Sequence, residues 1–206
     1  MSKGLIGCAV VLAILLVSGG ALFLWGTGVY NNLVSLDESV TAAWSQVEIA
    51  YQRRADLIPN LVNTVQGAAD FERETLTEVI EARARATQIQ ITPDDLSDPQ
   101  ALARYQQAQD ELSGALSRLL VTIERYPELK ASQNFIQLQD ELAGTENRIS
   151  VERRRFNETA QTYNTARRRF PATVIAGWLG FEEAAYFEAA QGADQAPEVE
   201  FDFKEQ

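Results

Sequence analysis

The sequence has no histidine and only one cysteine, Cys8. Carboxylate and guanidinium groups are therefore the side chains that could support catalysis or bind a ligand. Imidazole acid–base catalysis, zinc sites and disulfides within one chain are therefore excluded. Two carboxylates with different pKa values can act as acid and base, and Asp56, Glu146 and Glu152 are the candidates. No phosphate loop, nucleophile elbow or metal-spaced cluster accompanies them. We therefore expect no catalytic residue, no metal and no cofactor.

Charged and amide side chains concentrate at two places that could form one network. The first place adjoins Pro59, and the second lies within a long predicted helix, where Arg148 and Glu152 are four residues apart and share a face. The candidate network for interaction or helix packing consists of Arg53, Arg54, Asp56, Asn60, Glu146, Asn147 and Arg148. We favour an ion-pair network that fixes helix packing. A ligand or partner site is the alternative, and an enzymatic or small-ligand site would require Arg54, Asp56 and Glu146 to converge in a concave pocket.

An apolar stretch at the amino terminus predicts a membrane-spanning helix over residues 1–28. No charge occurs from Gly4 until Asp37, and the run from Leu5 to Gly26 would span roughly 33 Å as a helix, enough to cross a bilayer. The predicted anchor residues are Leu5, Leu12, Leu16, Leu22 and Trp25. A cleaved signal peptide is less favoured because the run is long and no cleavage motif follows it. A lipoprotein signal is also less favoured, because the apolar run follows Cys8 instead of preceding it.

The charge distribution bears on partners and orientation. The chain has 18 basic and 29 acidic residues and a net charge of -11, which argues against nucleic acid as a partner. Lys3 precedes the apolar run, and the next basic residue is Arg53, so the positive-inside rule favours an extracytoplasmic body. A body without cysteine suits either compartment. We predict a membrane location with the lipid bilayer as partner.

Hydrophobic periodicity predicts three long helices after the span. The first runs from Leu33 to about Gln88, kinked near Pro59 but continuous, with a possible second bend at residues 67–69. The second and third carry heptad-spaced apolar residues. These are Leu102, Tyr105, Leu112, Leu116, Leu119, Ile123 and Tyr126, with Gln109 as a polar interruption, and then Phe135, Leu138, Leu142, Ile149, Phe156, Tyr163 and Phe170. Gly144 inside the third helix suggests a packing requirement.

Short connections between the long helices predict an all-α fold, an elongated antiparallel bundle of three long helices. Shorter helices are expected at residues 173–178 and 182–190, which places the bundle at residues 29–191. Residues 192–206 are expected to form an acidic tail, with Phe201 and Phe203 among the acidic groups. Heptad faces beyond the needs of one bundle also allow a homo-oligomer.

The sequence resembles the LemA family over nearly the whole chain after the apolar stretch. The resemblance lies in YNNLVSLDESVTAAWSQVEIAYQRRADLIPNLVNTVQG at residues 30–67, in ERYPELKASQNFIQLQDELAGTENRISVERRRFNETAQTYN at residues 124–164, and in the later FP, IAGWLGF and YFEA. It implies a single-pass bacterial membrane protein with a long helical bundle and brings no established activity. It also implies a cytoplasmic body, contrary to the charge count, so the orientation stays open.

The functional prediction is a non-enzymatic, membrane-anchored helical scaffold or adaptor of the bacterial envelope. Such a protein acts through contacts with other proteins, and the partner cannot be named from the sequence. An enzyme or enzyme subunit that uses a carboxylate and arginine cluster is one alternative. A sensor that binds a small ligand near the Pro59 kink is another, and it would need a pocket open to solvent.

Overall fold

The computed structural model describes residues 3–67 and 72–188, and over these residues the chain contains helices and no strand. The helices are α1 (Lys3–Gln66), α2 (Arg73–Gln88), a 3-10 helix (Pro93–Ser97), α3 (Pro99–Ile123), α4 (Pro127–Lys130), α5 (Gln133–Arg168) and α6 (Ala172–Leu179). The predicted all-α fold is confirmed. Residues 192–206, the predicted acidic tail, lie outside the described residues.

Helix α1 joins the apolar stretch to the body without a break. It has 64 residues, which corresponds to a length of about 96 Å. Its apolar first part is long enough to cross a membrane and packs against nothing else in the described chain. Among the predicted anchor residues, Leu12, Leu16, Leu22 and Trp25 are exposed, whereas the side chain of Leu5 is outside the described part. This composition matches a surface solvated by lipid.

Four long helices, α1, α2, α3 and α5, form the body. Helix α1 packs mainly against α5, and α2 packs mainly against α3. Ring contacts join Trp44 to Phe156, and an ion pair joins Arg54 to Glu146, so α1 and α5 run antiparallel. Arg85 lies against Glu111 and Arg118 against Glu78, so α2 and α3 also run antiparallel, as expected for a bundle with short connections.

The continuous first helix predicted from Leu33 to Gln88 is wrong. Helix α1 ends at Gln66, Gly67 lies in a turn, and Arg73 begins the separate helix α2. Glycine is a poor helix former, and a reversal at this point lets the apolar face of α2 reach the core. Leu76 and Val79 on that face are buried. Pro59 does not end a helix, since it lies within α1, which continues to Gln66.

The heptad positions form the core, with two exceptions near the ends. All the predicted α3 positions are buried, and Tyr126, just after α3, is half-buried. In α5 the positions from Phe135 to Tyr163 are buried or packed against the core, but Phe170 is 83% exposed because α5 ends at Arg168. Gly144 also differs from the prediction, since a Cβ atom there would meet no atom within 4 Å. Packing therefore does not require glycine at this position.

The second predicted short helix, at residues 182–190, is also wrong as far as residue 188, and residues 189–190 lie outside the described part. Helix α6 matches the first prediction, but residues 181–188 are extended. Gly180 ends α6 in the left-handed conformation, with φ at 75°, and so directs the chain back along the bundle. Side chains of the bundle bind the backbone of this extended segment, which removes the need for helical hydrogen bonds.

Candidate functional site

A buried arginine lies at the centre of the bundle. Arg54 of α1 is 1% exposed. Its Nη1 donates to the Ser113 hydroxyl and to Glu146 Oε1, both at 2.7 Å. Its Nη2 donates to Gln109 Oε1 at 2.6 Å and to the Gln109 carbonyl at 3.2 Å. A buried guanidinium needs such partners because its charge cannot be removed at ordinary pH.

All four long helices contribute to this polar layer. Gln109 of α3 donates through Nε2 to the carbonyl of Ala86 in α2, at 3.2 Å. The Arg54 guanidinium also lies 5.1 Å from the ring centre of Tyr51, within the range of a cation–π contact. Burial raises the pKa of the Tyr51 hydroxyl above its usual 10.0, and the Arg153 and Arg54 charges partly oppose this shift.

The polar layer separates two apolar clusters, a proximal one on the side of the apolar stretch and a distal one beyond the layer. The proximal cluster includes Val40, Trp44, Leu102, Phe156 and Tyr163, and the distal cluster includes Ile58, Leu76, Leu116, Leu119 and Phe135. A helix that slid by one turn would bring the guanidinium against apolar side chains. The layer therefore fixes the register of the four helices.

The seven predicted network residues do not form one site. Arg54 and Glu146 come together, whereas Asp56 is exposed and accepts a hydrogen bond from Gln52 at 2.7 Å. Asn60 and Asn147 are exposed. Arg54, Asp56 and Glu146 thus do not converge in a concave pocket, which was the condition for the alternatives.

Two of the network arginines face an open groove between α1 and α5. Arg53 and Arg148 line this groove together with Glu141 and Gly144, and its volume is about 450 Å³. Ile49, 61% exposed, lies beside them. We call this surface the α1–α5 groove. Arg148 also binds Glu152, a residue of α5 that is almost fully buried, at 2.7 Å.

Two residues that complete the polar layer lie outside the predicted network. Gln109 and Ser113 both bind Arg54, but neither was in the predicted network. The signal for Gln109 was present, because it is the polar interruption in an otherwise apolar heptad pattern. A polar residue at such a position is often retained to set register. No comparable signal marked Ser113, since serine is common on helix surfaces.

The extended segment 181–188 is bound by side-chain amides of α5. Asn164 donates to the Ala184 carbonyl at 2.8 Å and accepts from the Ala184 N–H at 2.9 Å. Asn157 makes the same pair of bonds to Phe187, at 3.0 and 2.9 Å. An amide that donates and accepts at once satisfies both backbone groups of one residue. The segment is therefore held like an extended peptide on a protein surface.

Helix α3 and the 3-10 helix hold the other edge of this segment. Gln106 donates to the Glu188 carbonyl at 3.1 Å and accepts from its N–H at 3.3 Å. The N–H of Ala185 donates to the Leu96 carbonyl at 2.8 Å. These bonds are made to the backbone of the segment and depend little on which side chains the segment carries. They therefore fix where the segment lies, and they select little for its sequence.

An aromatic anchor supplies apolar contact for the segment. Phe187 is 5% exposed and stacks on Trp44, with ring centres 5.9 Å apart, and meets Phe156 edge-on at 5.5 Å. The Arg153 guanidinium lies 4.6 Å from the Phe187 ring centre. Such contacts add to the free energy of burying a large side chain.

A second groove, with a volume of about 540 Å³, lies at the proximal end of the bundle. Asp37 and Tyr163 both line it, and the Tyr163 hydroxyl donates to the Glu182 carbonyl at 2.8 Å. Burial, and then the charge of Glu38, raises the pKa of Asp37 above its usual 3.8. Burial raises the pKa of Tyr163 to about 12. Burial therefore shifts both side chains towards their neutral forms.

The architecture defines a class of protein, a four-helix body continuous with one candidate membrane span. The chain belongs to the LemA family, whose sequence pattern matches residues 43–201. It is 26% identical to the magnetosome proteins MamQ 1 and MamQ 2 of Paramagnetospirillum magneticum over 184 residues, 80% of this chain and 66% of each relative. It is also 26% identical to Protein LemA of Metamycoplasma hominis over 172 residues, 84% of this chain and 74% of that protein. The chain thus spans just under two thirds of the length of the magnetosome relatives.

Proposed function

We propose that this protein is a non-enzymatic scaffold or adaptor of the bacterial envelope, anchored in the cell membrane by α1. The observation that carries the proposal is the buried polar layer to which all four long helices contribute. The most deeply buried charged group, Arg54, is bound on both Nη atoms by side chains of the bundle. This arrangement engages the guanidinium in contacts between helices, which is a role in packing the bundle.

The surface of the bundle supports a role in protein contacts. Its amide side chains hold an extended segment of the chain by the backbone, and the aromatic residue Phe187 fills a pocket between helices. Extended peptides are recognised in the same way, by backbone hydrogen bonds together with a pocket for a side chain. The α1–α5 groove adds an open surface that contains both an exposed apolar side chain, Ile49, and basic groups.

The enzyme alternative has less support. It needs paired carboxylates that share a site, but Glu146 binds Arg54, and Asp56 binds Gln52 on an exposed surface. The names of the relatives, magnetosome protein and Protein LemA, are not enzyme names. The sensor alternative needs an open pocket around the predicted kink, and Pro59 is exposed on the surface of α1.

Photocrosslinking in intact cells tests the scaffold role. A photoreactive phenylalanine analogue replaces Ile49 in the α1–α5 groove, and the matched control carries it at Val121, which is 71% exposed on α3. We expect a discrete adduct from Ile49 that is lost when Arg148→Glu reverses the charge of the groove. An adduct at twice the mass of the chain would indicate a homo-oligomer. Equal adduct patterns from both positions, unaffected by Arg148→Glu, would refute the proposed contact surface.

The charge count leads us to propose an extracytoplasmic body. A Cys8→Ala chain with a single cysteine at Ser132, near the far end of the bundle, tests this with a membrane-impermeant thiol reagent. Labelling of intact cells, with any outer membrane permeabilised, is the expected result. Labelling only after lysis would place the body in the cytoplasm and direct the search for partners there.

A further inference from the structure

Helix α6 carries large apolar side chains on its exposed side. Trp178 is 88% exposed, Leu179 57% and Val174 51%, and Phe170, just before α6, is 83% exposed. The opposite side of α6 packs on the bundle through Ala176, which is 2% exposed. Val174 and Trp178 are four residues apart and share one face of the helix. A soluble surface rarely presents several large apolar groups together, and such a patch is typical of a contact with a protein or a membrane.

The fold places α6 beside the end of the candidate membrane span. Helix α6 contacts α1, and the ring of Phe181 lies 5.9 Å from that of Tyr30. Gly26 and Val29 are partly covered and Leu33 is fully buried, whereas the described side chains of α1 before Gly26 are exposed. Since Gly26 ends the apolar run, α6 lies at the level where a bilayer gives way to water.

Charged residues are absent from both segments that lie at the end of the candidate span. No charged residue occurs in α1 between Lys3 and Asp37, and none occurs from Phe170 to Phe181. Arginines stand directly before this uncharged segment, and Arg168 and Arg169 are exposed. Arg168 lies 3.8 Å from Glu183, and no ion pair of Arg169 is found within the described residues. Aromatic side chains next to arginine are typical of the interface between lipid and water.

We propose that α6 is a second membrane contact, which inserts Phe170, Val174 and Trp178 into the interfacial layer of the bilayer that α1 crosses. The occupant of the exposed face is phospholipid, with Arg169 at the phosphate level. The contact would hold the proximal end of the bundle against the membrane, so that α1 and α6 together fix the body on the bilayer. This inference rests on the proposed anchoring by α1.

Depth measurement by electron paramagnetic resonance tests the inference on the full chain. Single cysteines in a Cys8→Ala background carry a nitroxide at Leu16 in the span, at Trp178 on α6, or at Val121 as an exposed control far from the span. The labelled proteins are reconstituted into phosphatidylcholine vesicles. Collision rates with oxygen, which concentrates in lipid, are compared with those of a water-soluble nickel chelate. We expect the oxygen-to-nickel ratio at Trp178 to be severalfold above that at Val121 and below that at Leu16.

Each outcome decides between the two proposals. A ratio at Trp178 equal to that at Val121, with a high ratio at Leu16, would overturn the α6 contact and leave the span intact. A low ratio at both Leu16 and Trp178 would overturn both. If α6 instead bound a second copy, the Trp178 label would show spin–spin broadening that disappears on dilution with unlabelled protein, which would also overturn the lipid assignment.

A double substitution separates a membrane contact from a mere surface position. With the nitroxide at Val174, the Phe170→Ser and Trp178→Ser changes remove the inserting groups, and the expected result is a severalfold fall in the oxygen-to-nickel ratio. The matched control is Ile80→Ser with Val121→Ser, which removes exposed apolar side chains from α2 and α3. An unchanged ratio at Val174 in the first variant would contradict insertion.

Discussion

Replacing Arg54 with methionine removes the centre of the polar layer and tests whether that layer holds the four helices in register. The change deletes the bonds to Ser113, to Glu146 and the two to Gln109. Methionine fills a similar volume with apolar atoms. Gln109 would remain 5% exposed with an acceptor that has lost its donor.

The expected cost follows from the burial of each partner. Breaking a buried charged pair costs about 3–5 kcal/mol. The Glu146 side chain is 43% exposed and regains water, so we place the loss at about 3 kcal/mol, the lower end of that range. For a chain of this size, this is a fall in Tm of roughly 6–12 °C. Glu146→Gln, which keeps an acceptor, should cost about 1 kcal/mol.

Thermal unfolding of the full chain in detergent micelles, followed by the near-ultraviolet signal of its aromatic core, measures these costs. Arg154→Met is the matched control, because Arg154 is 69% exposed and lies 3.9 Å from Glu158, which is 67% exposed. An exposed pair of this kind contributes at most about 0.5 kcal/mol. If Arg54→Met lowered the Tm no more than Arg154→Met does, the polar layer would not stabilise the bundle.

Three further changes test other contacts of the fold. Asn164→Leu removes the paired bonds to Ala184 and should speed amide hydrogen exchange across residues 181–188 while α3 stays protected; equal exchange would contradict the clamp. Gly180→Ala should lower stability by about 1 kcal/mol, since alanine at a φ of 75° is strained, and thermal unfolding measures it. Burial holds the pKa of Tyr163 at about 12, above its unfolded value of 10.0, so the unfolded chain loses this proton first and stability should fall from pH 10 to about 12. Tyr163→Phe should reduce that fall in a denaturation series, and an unchanged slope would refute the assignment.

The fold was predictable from sequence wherever periodicity ran long. The heptad positions of α3 and α5 face the core because apolar residues spaced by three and four must share one side of a helix. The break after Gln66 was harder to place, because a single glycine permits either a bend or an end. The tertiary contact that decides between them, burial of the α2 face, has no local signal.

The candidate site was only partly predictable. The sequence pattern placed Arg54, Asp56 and Glu146 in one network. In the structure Arg54 binds Glu146, whereas Asp56 binds Gln52 on the surface. The sequence could not separate them, because it does not specify which face of α1 is turned towards α5. The extended segment 181–188 looked helical because its composition favours helix. Its conformation depends on Asn157 and Asn164 of a distant helix, and only the folded bundle brings these amides to its backbone.

The unbroken course of α1 from Lys3 to Gln66 makes the span and the body one rod instead of a head on a flexible stalk. The part of α1 beyond Gly26 measures about 60 Å, so a tilt of the span by about 20° would carry the far tip sideways by about 20 Å. If α1 crosses the bilayer as proposed, a small change in its tilt is converted into a large change in the position of that tip, unless the proposed α6 contact holds the tilt fixed. In that case, the tilt of the proposed span would help to set how far the folded body reaches to the side.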